Sequence, residues 1–400
     1  MTAATESAPA GNARSDERRA MGVACGAHAL HDGYTDLVVA MLPIWQAEFG
    51  LSYAALGTLR GVLAGTMATF QIPSGMLSER LGTPLVLAAG TALAGFGYCL
   101  ALFAGSFPAL IAVLFLVGLG ASTQHPLGSS LVAHAFSGPR SLKALGTYNF
   151  SGDLGKMAVP AAGALLVTML PWRTSLALLG AVGLAAAVAV LVLTPRYRTE
   201  AATAKTDEQK GTAGGWGPFY ALLGIDVIDS ATRMGLLTFL PLLLTAKGAS
   251  LPTVGLALML VFAGGAAGKL ACAWIGARIG VVATVWLTEG LTALGILALI
   301  GLPLEFSMMV LPVIGVALNG TSSVLYGSVP LLVAPEARTR AFSIFYTLGI
   351  GSGAVAPIFY GLVGDAIGMP LTLMLIAAIV LLTLPLVLVI KARLEAASAA

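Results

Sequence analysis

Cys25-Gly-Ala-His-Ala-Leu-His-Asp-Gly-Tyr-Thr-Asp36 lies inside an apolar run from Met21 to Trp45, long enough to cross a bilayer as a helix. At 3.6 residues per turn, His28, His31, Asp32, Thr35 and Asp36 fall at i, i+3, i+4, i+7 and i+8, so four ionisable groups share one face. A charge at the bilayer centre costs about 2.5 kcal/mol or more, so this face looks into a bundle interior or a wet cavity. A single polar group snorkelling from a helix end would not require two turns of them. The stretch therefore predicts a helical membrane bundle assembled around a polar centre.

Composition agrees: 58% of residues are hydrophobic and 10% charged, an excess of apolar surface that only a lipid environment accommodates. Apolar segments fall near 21–46, 53–76, 84–104, 108–135, 143–169, 173–194, 218–245, 253–276, 281–301, 306–333, 341–363 and 370–390. The expected fold is therefore all-α and integral to the membrane, with twelve spans. Cys25, Cys99 and Cys272 lie inside spans and read as small apolar packers. Residues 1–20 form a polar tail, and the first span, with its buried charge and no small-residue cleavage site, reads as retained.

With the N-terminus in the cytoplasm, fifteen Lys and Arg fall on inside segments and only Arg173 and Lys247 outside, while Arg60, Lys156, Arg233 and Lys269 lie in spans. This asymmetry places both termini in the cytoplasm. The net charge of +3 follows from topology and gives no reason to expect nucleic acid. Pro195 to Gly217 reads as a flexible cytoplasmic linker between an N-terminal half, 21–194, and a C-terminal half, 218–400.

The halves resemble each other at an offset of 198 residues. Pro43 matches Pro241, Gly57 matches Gly255, and Arg80-Leu-Gly82 matches Arg278-Ile-Gly280. Under the same offset the polar face of the first span recurs in the seventh as Asp226, Asp229 and Arg233.

Gly75-Met-Leu-Ser-Glu-Arg-Leu-Gly82 resembles the G-x-L-x-D-R-x-G loop of the major facilitator superfamily, with Glu79 where the family has Asp and Thr83-Pro84 in place of a basic pair. His31-Asp-Gly-Tyr-Thr-Asp-Leu with Pro43, Glu48-Phe-Gly-Leu-Ser52, Gln71-Ile-Pro-Ser-Gly75 and Gly118-Leu-Gly-Ala-Ser-Thr-Gln-His-Pro126 are similar to the fosmidomycin-resistance branch, over the first 165 residues. The resemblance implies two pseudo-symmetric six-helix halves with substrate near the midplane, and a proton-driven exporter of drugs or small anions in the inner membrane. Arg60, Asp153 and Lys156 depart from that branch, and Gly152 to Gly163 carries a degenerate form of the antiporter motif. Antiport is expected, with proton-coupled uptake of a small organic acid as an alternative.

The expected substrate contacts are His31, Tyr34, Arg60, Gln124, His125, Asn149, Asp229, Arg233 and Lys269. Pro126 removes a backbone donor and frees a carbonyl beside His125. An arginine keeps its charge and offers a planar fork to carboxylate or phosphonate oxygens. His31, Asp32 and Asp36 are the candidate proton acceptors. Glu79 and Arg80, with Asp153, Lys156, Asp226 and Glu289, are expected as gating or ion-pair groups. Asp153 and Lys156 are spaced for an intrahelical pair. Candidate neutralisers are Asp229 for Arg233, Asp32 or Asp36 for Arg60, and Asp226 or Glu289 for Lys269.

No H-E-x-x-H, Gly-x-Ser-x-Gly or cysteine pair occurs in the spans, so no enzyme chemistry, cofactor or resident metal is expected. His28, His31, Asp32 and His125 leave export of a divalent transition metal as an alternative. The expected partners are a small molecule, protons and the bilayer, and the chain is expected to act as a monomer.

Overall fold

The computed structural model describes residues 10–136, 139–195, 216–333 and 338–399, and these are helical with short turns. In order the helices are α1 (Ala10–Phe49), α2 (Tyr53–Leu81), α3 (Thr83–Leu100), α4 (Phe107–Ala121), α5 (Gln124–Ala135), α6 (Pro139–Met169), α7 (Trp172–Leu193), α8 (Gly217–Ala246), α9 (Leu251–Ile279), α10 (Val281–Gly301), α11 (Leu304–Leu332), α12 (Arg338–Ile367), α13 (Met369–Val380) and α14 (Thr383–Ala399). Two pairs form single broken rods. α4 and α5 part at Ser122-Thr123, just before Pro126, and α13 and α14 part at Leu381-Leu382, just before Pro385. In each case proline lacks the N–H that would continue the ladder. The described residues thus form twelve rods, as expected.

Nine of these rods are long and apolar enough to span a membrane on those grounds alone, and α1, α2 and α6 are not among them. Those three carry His28, Asp32, Asp36, Arg60, Asp153 and Lys156. The polar groups that lower their hydropathy point inward, so packing makes them spans. α7 shows the opposite: Val182, Val188 and Val192 are exposed on its outer side, where lipid covers them.

The turns repeat at the offset read from the sequence. Ser52 caps α2 by accepting the Ala55 N–H, and Ser250 caps α9 by accepting the Thr253 N–H. Gly50 and Gly248 precede those caps at positive φ, and Gly82 and Gly280 turn the chain after them at φ 86° and 82°. α1 extends back from the expected span to Ala10, and Glu17 on it pairs with Arg140 on α6 at 2.7 Å. Of the expected linker, 196–215 lies outside the described residues, as do 1–9 of the expected tail.

The first six rods meet the last six most tightly at the end opposite the termini. A side chain on Gly57 of α2 would place its Cβ 2.1 Å from the Pro357 carbonyl oxygen of α12, so only glycine allows this approach. At the same end Asp365 of α12 accepts the backbone N–H groups of Tyr53 at 2.7 Å and Ala54 at 3.0 Å. These are unpaired donors of the first turn of α2, and the carboxylate also meets the positive end of the helix dipole. Asp365→Asn is expected to weaken this seal by about 1 kcal/mol, close to a fivefold shift toward a state open at that end. Spin-label distances between the α2 N-terminus and the α12 C-terminus should then gain a long component.

Candidate functional site

Between the halves lies a cavity of about 550 Å³. Its lining includes Asn149, Tyr326 and Tyr346, whose exposed side chains sit toward the end that carries both termini. The cavity therefore opens toward that end, opposite the Asp365 seal.

α1 and α2 form one wall. Arg60 is 4% exposed, and its guanidinium donates to Asp36 Oδ1 at 2.8 Å and to the Thr35 carbonyl at 2.5 Å. One turn nearer the opening on α1, Asp32 faces three groups at ion-pair distance: Lys156 Nζ at 3.2 Å, His28 Nε2 at 3.3 Å and His125 Nε2 at 3.7 Å. α6 must come close for Lys156 to reach, and Gly152 permits it, since a Cβ there would lie 2.6 Å from Asp32 Oδ2 and 2.7 Å from His28 Cε1. The pairing of Lys156 with Asp32 replaces the intrahelical pair expected with Asp153. Asp153 instead crosses to the other half, where Lys269 of α9 donates to both its oxygens at 2.6 and 2.9 Å. Lys269 was expected opposite Asp226 or Glu289; α6 lies nearer to α9 than either.

Arg233 of α8 lines the cavity and has no carboxylate oxygen within 4.0 Å among the described residues. Its expected partner Asp229 is 2% exposed and off the cavity lining, on the side of α8 that faces Glu289 of α10. Asp226 lines the cavity, and it too lacks a cation at that distance among the described residues. The two differ chemically: a carboxyl group can neutralise itself with a proton, and a guanidinium cannot.

Other expected contacts fall elsewhere. His31 is 2% exposed and bonds Thr91 at 3.0 Å, behind the cavity wall. The Tyr34 hydroxyl donates to the Leu179 carbonyl inside the first half. Gln124 is buried next to Tyr148, whose hydroxyl meets its carbonyl at 3.3 Å. Glu79 and Arg80 are exposed with no ion pair among the described residues. His125, Asn149, Arg60, Lys156 and Lys269 do line the cavity.

Several lining residues were outside the expected substrate, proton and gating groups: His28, named only for the metal alternative, and Gln71, Ser323, Tyr326 and Tyr346. The 198-residue offset carried a signal for two of them, since Ser323 stands where the first half has His125 and Tyr346 where it has Tyr148. Tyr326 and Tyr346 pack at 5.3 Å between centroids and give the second half an aromatic wall.

The model of the Major Facilitator Superfamily matches residues 24–227, just over half of the chain. The chain belongs to the Major Facilitator Superfamily. Among curated relatives it is 31% identical over 147 residues to the fosmidomycin resistance protein of Escherichia coli, a match covering 35% of this chain and 34% of that protein. It is 29% identical over 269 residues to an MFS-type efflux pump of Mycolicibacterium smegmatis, covering 63% and 62%. The matches thus span between a third and two thirds of these relatives' lengths. Among solved structures, an inward-facing, unoccupied bacterial homologue of the lysosomal transporter Spinster superposes with a TM-score of 0.73 at 13% identity, over 95% of this chain and 98% of that one. A variant of the nucleoside transporter NupG superposes with a TM-score of 0.75 at 12% identity, over 94% and 99%. The superfamily fold thus extends over the second half, where the sequence signal is thin, and the chain is a multi-pass membrane protein.

The Asp153–Lys269 pair bridges the halves beside the cavity, with 38% of the lysine side chain exposed. Lys269→Met or Asp153→Asn is expected to weaken the contact between α6 and α9 by about 1–3 kcal/mol. The exchanged pair Asp153→Lys with Lys269→Asp should recover most of it, as read by spin-label distances across the two helices.

Proposed function

We propose that this protein is a secondary active transporter of a small organic anion, working by alternating access and coupled to protons. Arg233 carries the reading. Arg60, Lys156 and Lys269 each have a carboxylate at 3.2 Å or less, so their charge is already balanced inside the protein. Among the described residues Arg233 has none within 4.0 Å, and a guanidinium without a direct carboxylate partner is costly to hold in a bundle of low dielectric. A carboxylate, phosphonate or phosphate entering the cavity would supply the missing charge and match the planar fork. The aromatic wall of Tyr326 and Tyr346 would cover an apolar part of the same molecule.

The names of the relatives, a resistance protein and an efflux pump, support export as the direction. The distribution of Lys and Arg supports cytoplasmic termini in the inner membrane. The state described would then open to the cytoplasm. Breaking the Asp365 contacts while closing the opposite end would release the substrate outside. Asp153 with Lys269 would act as a gate in this cycle, and Asp32 and its neighbours as the proton site.

A panel of small carboxylates, phosphonates and phosphates, screened for a rise in melting temperature of the purified protein, identifies ligands by mass action. For any that binds, Arg233→Ala should weaken affinity by about 2 kcal/mol, close to thirtyfold, and Arg233→Lys should recover little because the fork is lost. Unchanged affinity in both variants would refute the anion reading.

One observation favours a divalent metal as cargo: ligand atoms of His28, Asp32 and His125 lie within 4.8 Å of one another. Against it, the ammonium of Lys156 stands 3.2 Å from the same carboxylate and would have to be displaced. The anion reading therefore expects Zn²⁺ and Mn²⁺ to leave the melting temperature unchanged; a rise of several degrees with either would favour the metal.

A further inference from the structure

Four carboxylates and four cations line the cavity among the described residues, so with its histidines neutral its formal charge is zero. Six of these groups are taken up in pairs: Arg60 with Asp36 at 2.8 Å, Lys156 with Asp32 at 3.2 Å and Lys269 with Asp153 at 2.6 Å. The two left over, Asp226 and Arg233, stand on the same helix, α8. Asp226 is 6% exposed, and among the described residues it has no cation within 4.0 Å and makes no hydrogen bond. With Ser230 between them, the two fall at i, i+4 and i+7 on one face of α8, and all three residues line the cavity. Seven residues cover about 10 Å of helix axis, and the Arg233 side chain leans back toward the N-terminal turns, where Asp226 lies. Ser230 engages neither charge, since its hydroxyl donates to the Gly349 carbonyl of α12 at 2.7 Å. Gly349 also leaves room for the carboxylate, because a Cβ there would collide with Asp226 Oδ2. One turn before Gly349, Tyr346 adds an aromatic ring to the same cavity. A carboxylate beside ring faces is suited to an ammonium group.

We propose that the transported molecule is zwitterionic, with its anionic group on Arg233 and an ammonium a few carbons away on Asp226, which makes Asp226 the residue that selects for the amine. This rests on the anion reading above and narrows it. An anion alone would satisfy Arg233 and leave the cavity with a surplus negative charge on a buried carboxylate, which is costly in a low dielectric. A molecule carrying both groups closes both positions at once. The loaded cavity then holds its charges as four pairs and stays neutral, so it can close around the cargo without burying an unbalanced charge.

The test is calorimetric titration of the purified full-length protein with three probes: propylphosphonate, propylamine, and aminopropylphosphonate with its amine on the terminal carbon. The terminal amine is expected to tighten binding about tenfold or more over propylphosphonate. Asp226→Asn should erase that gain, so that the two phosphonates bind alike, and Asp226→Glu, which keeps the charge, should retain part of it. The comparison is between ligands within one variant, so a general loss of packing would weaken both phosphonates and leave their ratio unchanged. No gain from the amine in the unchanged protein, or a gain that Asp226→Asn keeps, would overturn the proposal. The anion reading would survive that result if Arg233→Ala still weakens propylphosphonate. Binding of propylamine through Asp226 with neither phosphonate bound would remove the anion reading and the zwitterion with it, and silence of all three probes would do the same.

Discussion

An ionised side chain inside a bilayer has no bulk water to solvate it, so in this bundle each one must find a partner, and the pairing organises the helices around α1. Asp36 holds Arg60 and so ties α1 to α2. Asp32 gathers Lys156 of α6, His125 of α5 and its own neighbour His28. Removing one partner of a buried pair costs about 3–5 kcal/mol, a large share of the stability of any domain. The same requirement gives the unpaired Arg233 its meaning. Among the described residues Arg233, which cannot discharge itself, faces the cavity with no carboxylate oxygen within 4.0 Å.

This network is lopsided. The first half holds His28, Asp32, Asp36, Arg60, His125, Asp153 and Lys156 around the cavity, and the second half contributes Asp226, Arg233 and Lys269 together with Tyr326 and Tyr346. Titratable groups crowd one wall; aromatic faces and the uncompensated cation lie on the other. Among the described residues one ion pair, Asp153 with Lys269, joins the two walls, while Asp365 and the close approach at Gly57 hold the halves together at one end. Substrate charge, coupling charge and gate thus sit within one cavity, where movement of either half alters all three.

The twelve rods and the inward polar face of α1 were legible in the sequence because both follow from local pattern: a length of apolar residues and a period of 3.6. The partners of the charged groups were not. Periodicity assigns a face and leaves the neighbour open, so Asp153 read as paired to Lys156 three residues away. The structure sends Lys156 to α1, because Gly152 lets that helix approach, and frees Asp153 for α9. Asp229 read as the neutraliser of Arg233 in the same way, yet its carboxyl group turns to Glu289 of α10 and stays off the cavity lining, with no oxygen within 4.0 Å of the guanidinium. Asp365 left no signal at all, since its partners are backbone N–H groups more than 300 residues away in the chain. Tyr346 was within reach of the repeat, which pairs it with Tyr148, but aromatic residues in apolar spans look alike whether they face lipid, core or cavity.

The central claim is that the cavity completes its charge with an anion at Arg233. It is tested most directly by measuring dipolar contact between ¹⁵N in the arginine side chains and ³¹P in bound methylphosphonate by solid-state NMR, with the Arg233 signal assigned by its loss in Arg233→Lys. The account predicts that phosphorus attenuates the Arg233 guanidinium signal and leaves Arg60, already closed on Asp36, unaffected. A bound phosphonate that leaves Arg233 unattenuated would contradict it.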